Sequence, residues 1–179
     1  KELKKNLNKL NVKFKLNKDY NTKEMLFSLK VGLKNINEDV IVSYSDIYYS
    51  RKIFKKIKKY KTNQINIPII KNWMNVWKKR NKSIFDDCET LRYDKNFNLI
   101  EIGKKIVNPS KVMGQYMGLL FIPRRKVSYI YNKIGSKNNK MHITLFLNAL
   151  INLKEKIKCV PYTGKWYEFD DLNDYKNFY

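Results

Sequence analysis

An alternation of strand and helix signals in the first sixty residues limits the fold most strongly. Asp39 to Tyr44 is a β-branched run, which predicts a strand buried on both faces. Asn11 to Leu16 alternates apolar and polar residues, as a half-buried strand does. A helix capped by Asn21 is predicted between these strands, because Met25, Leu29 and Leu33 recur at helical spacing. A second helix is predicted after them, with Ile53, Phe54 and Ile57 on its inner face. This order predicts an α/β sheet with crossover connections.

The second half of the chain adds shorter strands. Thr90 to Tyr93 and Leu99 to Lys104 flank a turn-like DKNFN segment and predict a hairpin, and Met113 to Pro123 predicts a strand broken by two glycines. A helix is predicted over His142 to Glu155, with Phe146, Leu150 and Leu153 on one side. Strands at Lys158 to Pro161 and Trp166 to Phe169 and a short final helix follow. Without an internal repeat or linker, the chain is predicted to be a single domain over 1–179.

Composition places the chain among intracellular proteins. It has 179 residues, 43% of them hydrophobic, but no apolar run of the length that spans a membrane and no signal-peptide pattern. We therefore expect a cytoplasmic protein without a membrane partner. Cys88 and Cys159 lack metal-site spacing and His142 has no second ligand nearby, so free thiols and no zinc are expected.

The net charge of +22 attracts polyanions in general and identifies none. Lysine, asparagine, isoleucine and tyrosine are abundant together, which is typical of A+T-rich coding sequences. The lysines are scattered along the chain instead of forming a basic arm. Nucleic acid is therefore not the expected partner, although a non-catalytic basic module that binds nucleic acid or another polyanion stays as the alternative function.

Two aspartates follow predicted strands. Asp46 comes after VIVSYS and Asp170 after WYEF, and open α/β sheets place ligands at the carboxyl ends of strands. Magnesium prefers one or two carboxylates together with phosphate oxygens and water, so such a pair suits a metal-assisted phosphoryl reaction. An aspartate after a strand is also a common helix cap, so spacing alone leaves both interpretations open.

Longer strings resemble one family in the same order. They are NWMNVWKKR from Asn72, DDCETLRYDKNFNLIEIGKK, GQYMGLL, ITLFLNALI and GKWYEFDDLNDY, preceded by NKDYNTKEMLFSL and VIVSYSDIYY. Together they resemble the nucleotidyltransferases that activate phosphocholine, 2-aminoethylphosphonate and sugar phosphates. The resemblance covers the chain from about Asn17 onward, which makes it far more specific than any single motif.

The resemblance implies a Rossmann-like, GT-A-like mixed sheet with flanking helices. It implies transfer of a nucleoside monophosphate, with CTP as the expected donor, to a small phosphorylated or phosphonate acceptor with loss of pyrophosphate. It assigns Mg²⁺ to a catalytic pair, Asp46 and Asp170. It also implies substrate-binding roles for Glu89, Lys105, Gln115, Tyr116, Trp166 and Glu168. A homodimer is one assembly that stays open.

Several of these residues have a plainer structural interpretation. The usual place of tryptophan is the protein core, which is the plainer interpretation of Trp73, Trp77 and Trp166. Aromatic rings can also form a cage around a quaternary ammonium. For Lys105, an ordinary solvent-exposed lysine is as good an interpretation as a phosphate-binding one. His142 stands where the family more often has aspartate, a difference that we expect to concern helix capping.

The front of the family pattern has no counterpart in the chain. Family members begin with a strand, a glycine-rich loop bearing an arginine, and a later Pro-Lys pair, which together wrap the triphosphate. We therefore expect a sheet that lacks its N-terminal strands. We also expect weak nucleotide binding and little turnover from this chain alone, and an active enzyme in the full-length form.

Overall fold

The computed structural model describes residues 11–60, 63–80, 83–135 and 141–178, so the first ten residues of the predicted domain lie outside it. The helices are α1 (Met25–Leu33), α2 (Lys52–Lys59), α3 (Trp73–Arg80), α4 (Ile84–Asp87), α5 (Arg124–Lys133), α6 (Ile143–Asn152) and α7 (Leu172–Phe178). The strands are β1 (Val40–Ser43), β2 (Ile47–Tyr49), β3 (Ile65–Ile70), β4 (Glu89–Tyr93), β5 (Leu99–Lys105), β6 (Gln115–Tyr116), β7 (Leu119–Ile122), β8 (Ile157–Tyr162) and β9 (Trp166–Glu168). A 3₁₀ turn covers Pro109–Lys111.

The main sheet is built around β3, whose six residues are all buried. Strand β8 runs parallel to β3 along its whole length, while β7 and β6 pair with it antiparallel, near Asn66 and near Ile69. Strand β1 extends the sheet by pairing with β7. The predicted mixed sheet with flanking helices is therefore confirmed.

A proline lies inside this central strand. Pro68 cannot donate to a ladder, and its carbonyl accepts a hydrogen bond from Met117 N at 3.3 Å. The N and the carbonyl oxygen of a residue in a strand point towards the same neighbouring strand. The edge of Pro68 that lacks an N–H donor therefore faces the break between β6 and β7. Gly118 lies in that break with φ +71, so the irregular backbone there tolerates the proline.

Both faces of the sheet are covered by apolar layers. On one face Ile67 and Ile69 pack with buried residues of α1, α5, α6 and the β4–β5 hairpin. On the other face Ile70 and Phe121 pack with buried residues of α2, α3 and the β2–β9 ribbon. Burial on both faces explains why β3 and β8 are rich in apolar residues without alternation.

Two predictions about the N-terminal strands are wrong. Asn11 to Leu16 forms no regular structure, because its alternating residues find no strand to pair with among the described residues. β1 is half buried, with alternate residues exposed, instead of being covered on both faces. It pairs only with β7 within the described part of the chain, so it is an edge strand there.

The four predicted helices, α1, α2, α6 and α7, are present with shifted faces, whereas α3, α4 and α5 were not predicted. Glu24, not Asn21, precedes the first turn of α1, and Leu26 takes the buried position that was assigned to Met25. Phe54 and Leu153 are exposed instead of inward, since each lies at the rim of its helix's apolar face. None of the described helices is both long and apolar enough to cross a bilayer.

Candidate active site

The β2–β9 ribbon brings the two predicted catalytic aspartates to one end of the molecule. Ile47 pairs with Glu168, and beyond that pair Phe169 N donates to the Asp46 carbonyl at 2.9 Å. Asp170 is therefore the next residue after the one that faces Asp46. Both aspartates are exposed. The geometry thus suits the pair that the sequence predicts, and their binding of magnesium stays a prediction.

A buried arginine organises the acidic side of this end. The Arg80 side chain has no exposed surface and lies at the end of α3. Its Nε donates to Asp174 Oδ1 at 3.0 Å, and its Nη2 donates to Asp170 Oδ2 at 2.5 Å and to Asp174 Oδ2 at 3.3 Å. Its Nη1 lies 3.3 Å from Glu168 Oε2 and from Asp87 Oδ2. A single guanidinium therefore links α3, α4, β9 and α7.

The charges in this cluster are unbalanced. Burial disfavours the charged form of Arg80, but the hydrogen bond to Asp174 and the charges of Asp87 and Glu168 raise its pKa above the ordinary value. Burial, followed by the negative charge of Asp170, raises the pKa of Glu168 to about 7 despite the nearby guanidinium. One cation faces four carboxylates, so this end of the site retains a negative field.

Another acidic residue, Glu89, is held by three hydrogen bonds to two neighbours. Gln115 Nε2 donates to the Glu89 carbonyl at 2.7 Å, and Gln115 Oε1 accepts from Glu89 N at 3.3 Å. Thr144 Oγ1 donates to Glu89 Oε1 at 3.1 Å. Burial raises the pKa of Glu89, and the hydrogen bond from Thr144 opposes that rise.

A glycine allows the helix that carries Thr144 to approach the hairpin. Gly103 in β5 has φ +84, and a Cβ there would lie 2.9 Å from the Thr144 carbonyl carbon. A side chain at this position would push α6 away from β5. The glycine of the EIGKK string therefore serves the contact that holds Glu89.

Glu89, Gln115 and Thr144 line a cavity of about 360 Å³. Its acidic lining residues are Asp87, Glu89 and Glu168, and its aromatic ones are Tyr44, Trp77 and Tyr116. The remaining lining residues are Met25, Gln115, Gly118, His142 and Thr144. Four of the predicted substrate-binding residues, Glu89, Gln115, Tyr116 and Glu168, thus meet around one space.

A neighbouring cavity of about 480 Å³ runs along β1 and α1 and is lined by Asp46. The two cavities share Met25 and Tyr44. Tyr44 N donates to the Gly118 carbonyl at 2.9 Å, and a Cβ on Gly118 would lie 3.0 Å from the Tyr44 ring. Because it has no side chain, Gly118 leaves room for the Tyr44 ring in the wall that the two cavities share.

Two predicted substrate-binding residues lie away from the cavity walls. Trp166 is buried behind them, where its Nε1 donates to the Met117 carbonyl at 3.0 Å and its ring stacks on Trp77 at 5.8 Å. Lys105 is exposed at the end of β5, in register with Glu89 but not lining the cavity. The expected core positions of Trp73 and Trp77 are confirmed, since each is 3% exposed.

Sequence reasoning gave no role to Arg80, Tyr44 or Thr144. Arg80 had a usable signal, because it lies three residues after Trp77 on the apolar face of α3 and a charged residue there demands partners. Tyr44 and Thr144 gave no such signal, since their roles depend on the meeting of separate elements. His142 occupies the N-cap position of α6 without a side-chain capping bond, so capping does not explain it.

The expected thiol state agrees with the structure. Cys88 and Cys159 are free and buried, and burial raises the pKa of each thiol to about 12. Among the described residues no group of three or more histidine, cysteine, aspartate or glutamate side chains is placed to hold a metal ion. A metal at this site would therefore rely on the two aspartates and on oxygens from the substrates.

A curated relative decides the family. The chain is 31% identical to CTP:phosphoglutamine cytidylyltransferase of Campylobacter jejuni, over 96% of this chain and 74% of that protein. The chain belongs to the nucleotidyltransferase family. No protein-family model matches it. The family assignment made from the ordered sequence strings is thereby confirmed.

Solved structures agree on the nucleotidyltransferase fold. The inositol-1-phosphate CTP transferase of T. maritima superposes with a TM-score of 0.70 at 16% identity, covering 96% of this chain and 66% of that one. CTP:phosphocholine cytidylyltransferase from Streptococcus pneumoniae gives 0.70 at 14% identity, over 99% of this chain and 72% of that one. The chain thus spans about two thirds to three quarters of these relatives.

Proposed function

We propose that the protein transfers CMP from CTP to a small phosphorylated or phosphonate acceptor and releases pyrophosphate. An acceptor oxygen attacks the α-phosphorus in line, the bond from the α-phosphorus to the bridging oxygen breaks, and pyrophosphate leaves with that oxygen. The observation that carries the proposal is the 31% identity to a cytidylyltransferase over 96% of the chain. The placement of Asp46 just before β2 and of Asp170 just after β9, at the same end of the ribbon, supports it.

The two aspartates fit a magnesium ion by their chemistry. Carboxylate oxygens are the ligands that this hard cation prefers, and both side chains are exposed at the end of the same ribbon. Bound there, the ion would neutralise charge on the α-phosphate and on the departing pyrophosphate. Asp46 and Asp170 would hold it.

The remaining residues position the reactants. Arg80 fixes the orientation of the Asp170 carboxylate through the 2.5 Å hydrogen bond. Gln115 and Thr144 fix Glu89 in the wall of the cavity in which the acceptor would sit. In this reaction positioning and charge neutralisation supply most of the rate, so no side-chain nucleophile is needed.

The test is pyrophosphate release by the full-length protein with each of the four nucleoside triphosphates and a panel of phosphorylated acceptors. CTP is expected to give the highest rate. Asp46→Asn should lower kcat by about 100-fold or more, the loss typical of a catalytic electrostatic group. Asp46 is suited to this test because it is exposed, so the substitution should leave stability unchanged.

Glu38→Gln is the matched control, since it removes one negative charge from an exposed position ahead of β1. It should leave both kcat and stability near the values of the unmodified protein. Equal activities for Asp46→Asn and Glu38→Gln would remove Asp46 from the mechanism. Failure to release pyrophosphate with any combination of triphosphate and acceptor would remove the transferase assignment itself.

A further inference from the structure

The walls of the 360 Å³ cavity, here called the acceptor cavity, carry an excess of negative charge. Asp87, Glu89 and Glu168 line it, and no lysine or arginine does so among the described residues. This is unexpected in a chain with a net charge of +22. His142 is the basic side chain on the wall, and its Nδ1 lies 4.0 Å from Glu24 Oε2.

The partners of these carboxylates do not balance them. Asp87 and Glu168 share Arg80 with Asp170 and Asp174. Glu89 has no arginine or lysine within ion-pair distance in the described part of the chain. Its side-chain hydrogen-bond donor there is the neutral Thr144, and His142 is the basic group whose charge acts on it. A buried carboxylate without a cation is costly, and a bound cation would relieve that cost.

The hydrogen-bonding capacity of the cavity points to a ligand that donates. Glu89 Oε1 accepts from Thr144 and Glu168 Oε2 accepts from Arg80, which leaves the second oxygen of each carboxylate without a donor among the described residues. The hydroxyl of Tyr116, which lines the same cavity, is buried without a hydrogen-bond partner there and can accept as well as donate. The wall therefore offers more acceptors than donors.

The aromatic rings of the cavity are poorly arranged to form a cage around a methylated cation. Trp77 already stacks on Trp166 at an angle of 19°, and the Arg80 guanidinium lies 5.1 Å from its ring centroid. Its π surface is thus engaged within the protein. Tyr44 and Tyr116 meet edge to face at 5.8 Å, which commits them to each other. A quaternary ammonium would gain little from these rings and would have no N–H for the carboxylates.

We propose that the acceptor carries, at the end remote from its phosphate, an ammonium group with N–H donors, and that Glu89 and Glu168 bind this group. The inference rests on the proposed function, because it concerns the second substrate of that reaction. An anionic or a purely hydroxylic head group would leave Glu89 without an ammonium or guanidinium partner among the described residues. The charge of the cavity thus selects the chemical class of the acceptor.

The test is calorimetric binding of three phosphates that differ only at the head: 2-aminoethyl phosphate, 2-hydroxyethyl phosphate and phosphocholine. The first should bind about 10-fold to 100-fold more tightly than the second, the ratio expected for hydrogen bonds to charged groups. It should also bind more tightly than phosphocholine. Glu89→Gln should reduce the ratio between the first two to about threefold or less, while Glu38→Gln should leave it unchanged.

Equal binding of the aminoethyl and hydroxyethyl compounds, or of none of the three, would overturn the proposal. Tighter binding of phosphocholine would overturn the requirement for N–H donors. Pyrophosphate release measured in parallel distinguishes a failure of the head-group assignment from a failure of the transferase assignment. Turnover without a preference for the amine refutes the head-group assignment alone, whereas amine-selective binding without turnover with any triphosphate refutes the transferase assignment alone.

Discussion

Replacing Arg80 with methionine tests whether the buried arginine holds the acidic end of the site together. The side chains of both Arg80 and Asp174 have no exposed surface, so the variant leaves a fully buried carboxylate without its cation. Removing one partner of a buried ion pair costs about 3–5 kcal/mol. At about 2–4 °C per kcal/mol for a chain of this size, the melting temperature should fall by about 6–20 °C.

The assay is urea denaturation followed by tryptophan fluorescence, since Trp77 and Trp166 lie beside the cluster. Arg92→Met is the matched control, because Arg92 is exposed on β4 and its loss should change the free energy of unfolding by less than about 0.5 kcal/mol. Arg80→Lys should lie between the two, since one ammonium cannot reach four carboxylates. A loss below about 1 kcal/mol for Arg80→Met would refute the reasoning.

Three further predictions concern the walls of the cavity. Gly103→Ala should destabilise the protein by about 1–3 kcal/mol in urea denaturation, because φ is positive and the new Cβ meets the Thr144 backbone; an unchanged midpoint would contradict the close approach. Gly118→Ala should weaken acceptor binding in calorimetry by moving the Tyr44 ring, and an unaltered affinity would contradict that role. Burial raises the pKa of Glu89, so its stabilising contribution is present below the unfolded-state pKa and is lost as pH rises through the folded-state pKa. The stability of Glu89→Gln relative to the unmodified protein should therefore increase as pH rises above the unfolded-state pKa, and a pH-independent difference would contradict the shift.

Elements fixed by local interactions could be predicted from the sequence. The β4–β5 hairpin is one, because Asp94 Oδ1 accepts from both Asn96 N and Asn98 N at 2.8 Å within the same turn. The family and its ordered strings were likewise available, since they need no knowledge of which elements touch. Four of the predicted substrate-binding residues do share a cavity wall.

Features that depend on distant partners could not be predicted. No strand was predicted over β3. Its Pro68 is unusual in a central strand, and the break between β6 and β7 makes it acceptable. The opposite error occurred at Asn11 to Leu16, where an alternating pattern predicted a strand but pairs with none in the described part of the chain. The role of Arg80 depends on carboxylates that come mostly from the far end of the chain, and nothing local to α3 indicates them.

The separation of these partners along the chain also affects how the protein is made. Arg80 is synthesised 90 residues before Asp170 and 94 before Asp174. At about 5–20 residues per second, the ribosome needs on the order of 5–20 s to deliver the carboxylates after the arginine has emerged. Throughout that interval only Asp87, of the four carboxylates that contact the guanidinium, has been synthesised. The full set of ion pairs around Arg80 can therefore form only after translation has reached the WYEFD segment and the helix that follows it.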